Sequence, residues 1–63
     1  MNRLSEVLRK RRMYQRDLAR LANLDESIIS RIVTGRMNPR PDEEVRIAAA
    51  LGVQRKDLFG DNA

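Results

Sequence analysis

The chain has no cysteine and no histidine among its 63 residues. Without cysteine it forms neither a disulfide nor a thiolate metal site, and without histidine it has no imidazole ligand or imidazole base. No apolar run approaches the ~20 residues that a membrane-spanning helix needs, and no signal-peptide core is present. These absences predict a cytoplasmic protein that uses no metal and no cofactor.

Aromatic residues are scarce as well, because Tyr14 and Phe59 are the only two. A core without aromatic rings must be aliphatic, which suits packed helices, and base-stacking platforms for single-stranded nucleic acid are not expected. The length suits one small domain, residues 1–63. Short helices leave little room for a substrate pocket of ~300 Å³ or more. We therefore expect no enzymatic activity.

The positive charge is concentrated in the first part of the chain. Residues 1–40 contain ten Lys and Arg against four Asp and Glu, whereas residues 41–63 contain three against five. Such asymmetry favours one basic surface for a polyanion such as nucleic acid. The charge alone also allows a simpler interpretation, in which residues 9–12 are a solvated helix end whose cations offset the helix dipole.

Apolar residues recur at the i, i+3, i+4 spacing of amphipathic helices along the chain. The spacing predicts an all-α fold with helices at about residues 3–11, 15–22, 26–34, 42–51 and 55–59, followed by a frayed tail at 60–63. Asp25 is the predicted N-cap of the third helix, Asn23 and Gly52 suit left-handed helix ends, and Gly35 is a stop signal. The predicted core consists of Leu4, Val7, Leu8, Met13, Leu18, Ala19, Ala22, Leu24, Ile28, Ile29, Ile32, Val33, Val45, Ile47, Ala48, Leu51, Val53, Leu58 and Phe59.

Residues 15–34 have the features of a helix-turn-helix. Ala19 is small enough for a close helix crossing, Asn23 suits the sharp turn, and Leu24 follows as an apolar plug. Ile29 and Ile32 are expected to pack one side of the third predicted helix against the core and to leave its other side free. An α-helix fits the major groove of B-DNA, where base edges can be distinguished. The side predicted to be free for such contacts carries Glu26, Ser27, Ser30, Arg31 and Thr34.

Four segments also follow one known family pattern in order: Gln15-x-x-Leu18-Ala19-x-x-Ala22, Ile29-Ser30-Arg31-Ile32, Gly35-Arg36-x-Asn38-Pro39, and Ala50-Leu51-Gly52-Val53 with Asp57-Leu58-Phe59. With these segments the chain resembles the lambda-repressor/Cro-type helix-turn-helix domains, the xenobiotic-response-element class of phage and bacterial regulators. The resemblance implies a compact five-helix fold with the helix-turn-helix at the second and third helices. It also implies a Cro- or repressor-like transcriptional regulator that binds double-stranded DNA.

The resemblance further implies two groups of DNA-contacting residues. Base contacts are expected from Glu26, Ser27, Ser30, Arg31 and Thr34. Phosphate contacts are implied for Gln15, Arg36, Asn38 and Arg40. They are further expected from Arg16 and from Arg12, which with Arg9 is a candidate to replace the family arginine absent at Leu8. Arg31 is the best single candidate for sequence reading, because a guanidinium bonds guanine O6 and N7 together. A homodimer on a two-fold operator is expected, formed in solution or only on DNA. Its predicted contact surface is the C-terminal segment: Val53, Leu58 or Phe59 and their exposed neighbours.

Five positions depart from the family pattern. Arg12 stands where a glycine is usual, Leu8 where a phosphate-binding arginine is frequent, and Tyr14 where Ser or Thr usually caps the second helix. Asp25 and Glu26 place two carboxylates near the phosphates at the tip of the third helix. Asp25 is explained as a cap, whereas Glu26 must accept from a cytosine amino group or turn away.

Alternatives remain for both residues and function. Gln15 is also read as an exposed helix-start residue, Arg36 and Arg40 as solvated loop charges, and Arg31 as paired on its own helix. The alternative function is an antitoxin-type protein-interaction module that neutralises a toxin and autoregulates its operon. The chain is interpreted either as a complete small regulator or as one domain of a longer repressor. Since no separate ligand domain is evident, no small-molecule effector is expected.

Overall fold

The computed structural model describes residues 2–60, within which the chain forms five α-helices and no strand. The helices are α1 (Leu4–Arg11), α2 (Gln15–Ala22), α3 (Glu26–Val33), α4 (Pro41–Leu51) and α5 (Arg55–Phe59). The predicted all-α fold is confirmed, and each predicted helix end agrees with the observed one to within one residue. The predicted fraying concerns mainly residues 61–63, which lie outside the described residues.

An aliphatic core joins all five helices. α2 packs against both α3 and α4, and α1 contacts both α3 and α5. Complete burial of each large aliphatic side chain contributes about 1.5–3 kcal/mol, and such burial is the main source of stability in small helical folds. The largest fully buried side chains are Leu4, Leu18, Ile29, Ile32, Ile47, Leu51 and Leu58.

One detail of the predicted packing is wrong, and one of the residues proposed for the dimer surface is buried. Val45 is 52% exposed rather than buried, because α4 turns its 43, 47, 48 and 51 positions inward. Val45 is two residues from Ile47 and therefore points about 200° around the helix from it. Leu58 is 1% exposed and belongs to the core, so it is unavailable as a dimer contact, while Val53 and Phe59 are partly buried against the same core.

Three helices begin with the same hydrogen bond between the N-cap backbone and a side chain. In each, a carboxylate three residues after the N-cap accepts a hydrogen bond from the N-cap N–H, as the second half of a capping box does. The donor–acceptor distances are 3.2 Å for Tyr14 to Asp17, 2.8 Å for Arg40 to Glu43 and 3.1 Å for Gln54 to Asp57. The predicted absence of an ordinary cap at Tyr14 is thus offset by Asp17.

The N-terminus of α3 differs. Asp25 occupies the predicted N-cap position with extended backbone, but its side chain makes no capping hydrogen bond. The residue three positions later is the apolar Ile28, so no carboxylate is available there to close the reciprocal bond.

The C-terminal end of α1 has an arginine, not a glycine, in the left-handed conformation. Arg12 adopts a left-handed conformation with φ 54° and ψ 41°, a region that glycine enters without the penalty of a Cβ. Its N–H and that of Met13 bond to the Arg9 and Leu8 carbonyls. The guanidinium of Arg11 donates to the Leu51 carbonyl at the end of α4. The end of α1 is therefore held by long-range as well as local contacts.

Candidate nucleic-acid interface

The turn between α2 and α3 is closed by its own backbone. Asn23 has φ 57° and ψ 47°, as predicted for a left-handed residue. The Leu24 N–H donates to the Ala19 carbonyl at 2.9 Å and the Asn23 N–H to the Arg20 carbonyl at 3.3 Å, which together form a Schellman motif. Ala19 is 5% exposed at the helix crossing. The predicted roles of these turn residues are confirmed.

α3 is divided into a buried and an exposed face. Ile29 and Ile32 are fully buried, and Ile28 and Val33 are partly buried against the core. The opposite face consists of exposed Glu26, Ser27, Arg31 and Thr34, with Ser30 half-buried beside them. All five predicted base-contacting residues therefore lie on the side of α3 that does not pack against the core.

Two side chains on this face differ in their freedom. The hydroxyl of Thr34 donates to the Ser30 carbonyl at 2.9 Å, so its proton is engaged within the helix. Within residues 2–60 the Arg31 guanidinium makes no hydrogen bond and no ion pair, so the pairing of Arg31 on its own helix is not observed.

Three of the predicted phosphate-contacting residues cluster around the start of α2. Gln15 is the first residue of the helix and is half-buried, whereas Arg12 and Arg16 are exposed. The Arg16 guanidinium lies 4.9 Å above the centre of the Tyr14 ring, within range of a cation–π contact. The positive end of the α2 dipole adds to these charges and favours an anion nearby.

The other three predicted phosphate-contacting residues lie in the loop between α3 and α4. Arg36, Asn38 and Arg40 are exposed, while the intervening Met37 and Pro39 are half-buried. The loop is attached to α3 at its start, because the Arg36 N–H donates to the Arg31 carbonyl at 2.9 Å. This alternation anchors the loop on one side and leaves its polar side chains facing solvent.

Four of the eleven arginines have protein partners in residues 2–60, and Arg9 and Arg20 share the absence of an ion pair with the predicted DNA contacts. Arg3 and Arg55 form surface ion pairs with Glu6 and Glu44 at 3.1 and 3.4 Å, and the hydrogen bond from Arg3 lowers the pKa of the Glu6 carboxyl below its ordinary value. Arg11 and Arg46 donate to backbone carbonyls. Within residues 2–60 no ion pair engages the arginines predicted to contact DNA: Arg12, Arg16, Arg31, Arg36 and Arg40.

Residues 2–60 bring together no group of three acidic, histidine or cysteine side chains that would hold a metal ion. None of the helices in that range has the length and apolar character needed to cross a membrane.

Sequence reasoning missed one residue that supports the loop between α3 and α4. Glu43 is 7% exposed, and it is the only buried charged side chain in the described range. The signal was present in the sequence as an acidic residue three positions after each of three N-caps, at Asp17, Glu43 and Asp57. Nothing in the sequence pattern distinguishes the buried one from the other two.

Comparison with known proteins agrees with this geometry. The model of the Cro/C1-type helix-turn-helix DNA-binding domain family matches residues 3–63, a range that includes the turn, the exposed face of α3 and the loop that follows. No curated protein matches the chain. The predicted resemblance is confirmed, and the chain belongs to the Cro/C1-type helix-turn-helix DNA-binding domain family.

Proposed function

We propose that the protein is a sequence-specific regulator of transcription that inserts α3, its recognition helix, into the major groove of double-stranded DNA. One observation carries this proposal: within residues 2–60 the exposed face of α3 is polar, and exposed arginines without an ion pair lie at the start of α2 and in the loop after α3. Ile29 and Ile32 fix the rotation of the helix in the core. A helix whose rotation is fixed presents the same side chains to every base pair that it meets, as sequence reading requires.

The two sets of predicted phosphate contacts, one at the start of α2 and one in the loop between α3 and α4, suit the role of positioning α3 on DNA. Phosphate contacts set register and orientation without reading sequence, and base contacts then discriminate. Arg12, Gln15 and Arg16 would contact one phosphate backbone, and Arg36, Asn38 and Arg40 would contact the other side of the groove. Arg31 would read guanine, with Glu26, Ser27, Ser30 and Thr34 as further base contacts.

The size of the domain supports binding as a pair. Its Cα dimensions are 29 × 20 × 18 Å, so one copy covers less than the ~34 Å of a DNA helical turn. Single modules offer limited contact area, and two linked half-sites raise affinity without new contacts. We therefore propose a homodimer on a two-fold operator, with a repressor-like, non-enzymatic role in the cytoplasm.

Selection of bound sequences from a random duplex pool tests this function directly. The expected result is a two-fold symmetric motif whose half-sites lie about 10–10.5 base pairs apart. Affinity for unselected duplex should fall with salt at a log–log slope of about −0.9 per neutralised phosphate. Arg55→Ala serves as a charge-matched control for Arg36→Ala, because Arg55 is engaged by Glu44 on α4. Absence of duplex binding at low salt would contradict the proposal.

A further inference from the structure

Glu43 is a buried residue of α4 that lies directly after the loop with three predicted phosphate contacts. Its Oε1 accepts a hydrogen bond from the Arg40 N–H at 2.8 Å. Burial of a carboxylate is costly unless hydrogen bonds compensate, and no cation pairs with Glu43 within residues 2–60. The equivalent carboxylates differ, because Asp17 is half-buried and Asp57 is exposed.

The position of Glu43 on α4 explains its burial. It lies four residues before Ile47, which is fully buried, and so belongs to the inward face of the helix. Packing on that face restricts the carboxylate to one place. The hydrogen bond therefore ties the Arg40 backbone to the core rather than to a mobile surface side chain.

Arg40 is held at each of its backbone groups. Its N–H bonds to Glu43, and its carbonyl accepts from the Glu44 N–H at 2.9 Å. The backbone is extended, with φ −73° and ψ 161°, the region to which Pro41 restricts the residue before it. The Arg40 side chain is nevertheless exposed. A free guanidinium thus extends from a fully constrained backbone.

We infer that Glu43 is a positioning residue for DNA binding, holding Arg40 where its guanidinium meets a phosphate. The inference rests on the proposed function. Preorganisation raises affinity because less conformational freedom is lost on binding. Glu43 touches no DNA itself, and its contribution passes through Arg40.

The direction of the change in DNA affinity on substitution of Glu43 distinguishes a positioning role from simple electrostatics. Removing a negative charge from a DNA-binding domain strengthens binding to phosphates in general. Loss of a positioning contact weakens it. Glu43→Gln and Glu43→Met remove the same charge and have similar length, but only glutamine retains an oxygen that accepts from the Arg40 N–H.

The test measures affinity for a random duplex at several salt concentrations for both variants. We expect Glu43→Gln to bind at least as tightly as the unchanged protein, and Glu43→Met to bind about 3- to 10-fold more weakly than Glu43→Gln. Combined with Arg40→Ala, the difference between the two variants should vanish. Asp57→Asn and Asp57→Leu make the same comparison on α5, and there we expect equal DNA affinities.

Thermal unfolding shows that each variant is folded under the binding conditions, and methionine preserves apolar packing at the buried site. Equal DNA affinity of Glu43→Gln and Glu43→Met, with Arg40→Ala still weakening binding, would overturn the role of Glu43 and leave the proposed function intact. A difference that persists in the Arg40→Ala background would also overturn it. Failure of the unchanged protein to bind duplex DNA would instead contradict the proposed function.

Discussion

The side chain of Asn2 joins the first turn of α1 to the last turn of α3. Its Nδ2 donates to the Ile32 carbonyl at 2.9 Å, and its Oδ1 accepts from the Leu4 N–H at 2.9 Å. The Leu4 N–H belongs to the first turn of α1, where helical N–H groups lack an intrahelical partner. Asn2 therefore satisfies a first-turn N–H of α1 and at the same time donates to a carbonyl in the last turn of α3.

We expect Asn2→Ala to lower the free energy of unfolding by about 1–2 kcal/mol, because a cap and a second hydrogen bond are lost together. Urea denaturation measures the change. Ser5→Ala, at an exposed position in the same turn, is the control and should stay within about 0.5 kcal/mol of the unchanged protein. Equal stability of the two variants would show that the Asn2 contacts contribute nothing.

Arg12→Gly should raise the free energy of unfolding by up to about 1 kcal/mol, because a left-handed backbone is unfavourable for residues with a Cβ. The same change should weaken duplex binding and reduce the salt slope by about 0.9 if Arg12 neutralises a phosphate. Denaturation and binding titrations give the two values independently.

Asn23→Gly is the matched control for Arg12→Gly, since Asn23 has a similar φ of 57°. Its gain in stability should be smaller, because asparagine tolerates this region. A loss of stability in Arg12→Gly would contradict the backbone explanation, and an unchanged salt slope would remove Arg12 from the phosphate contacts.

The two faces of α4 should respond differently to truncation. Val45→Ala should change the free energy of unfolding by less than about 0.5 kcal/mol, because Val45 is 52% exposed. Ile47→Ala should cost about 2–5 kcal/mol, since it leaves a cavity in the core. Thermal or urea unfolding of both variants checks the observed rotation of α4. A large loss in the free energy of unfolding of Val45→Ala would contradict the exposed position of Val45 and would indicate a contact that the monomer lacks.

Arg31→Ala should reduce the preference for a selected site over random duplex by about 5- to 150-fold, the equivalent of the ~1–3 kcal/mol of a bidentate base contact. Arg36→Ala should weaken selected and random duplexes alike and reduce the salt slope by about 0.9. Competition binding with both duplexes distinguishes the two results. Identical behaviour of the two variants would contradict the division between reading and positioning residues.

Local signals were sufficient to predict the helices, their ends and the turn. Asn23 ends α2 and Gly52 ends α4 as expected, because left-handed helix ends depend on the residue at that position and its immediate neighbours. The polar face of α3 followed equally from the spacing of Ile29 and Ile32. The prediction for Asp25 was correct in position and wrong in contact, because side-chain hydrogen bonds depend on rotamers that sequence patterns do not define.

The amino-acid sequence by itself determined an all-α, helix-turn-helix fold, since helical periodicity and turn chemistry act over a few residues. Only the tertiary structure decided which face of α4 is buried, and so exposed Val45 and enclosed Glu43. It also created the bonds from Asn2 to Ile32 and from Arg11 to Leu51, which join residues 30 and 40 positions apart. Such contacts arise when helices pack, because packing alone brings distant backbone carbonyls within reach of these side chains.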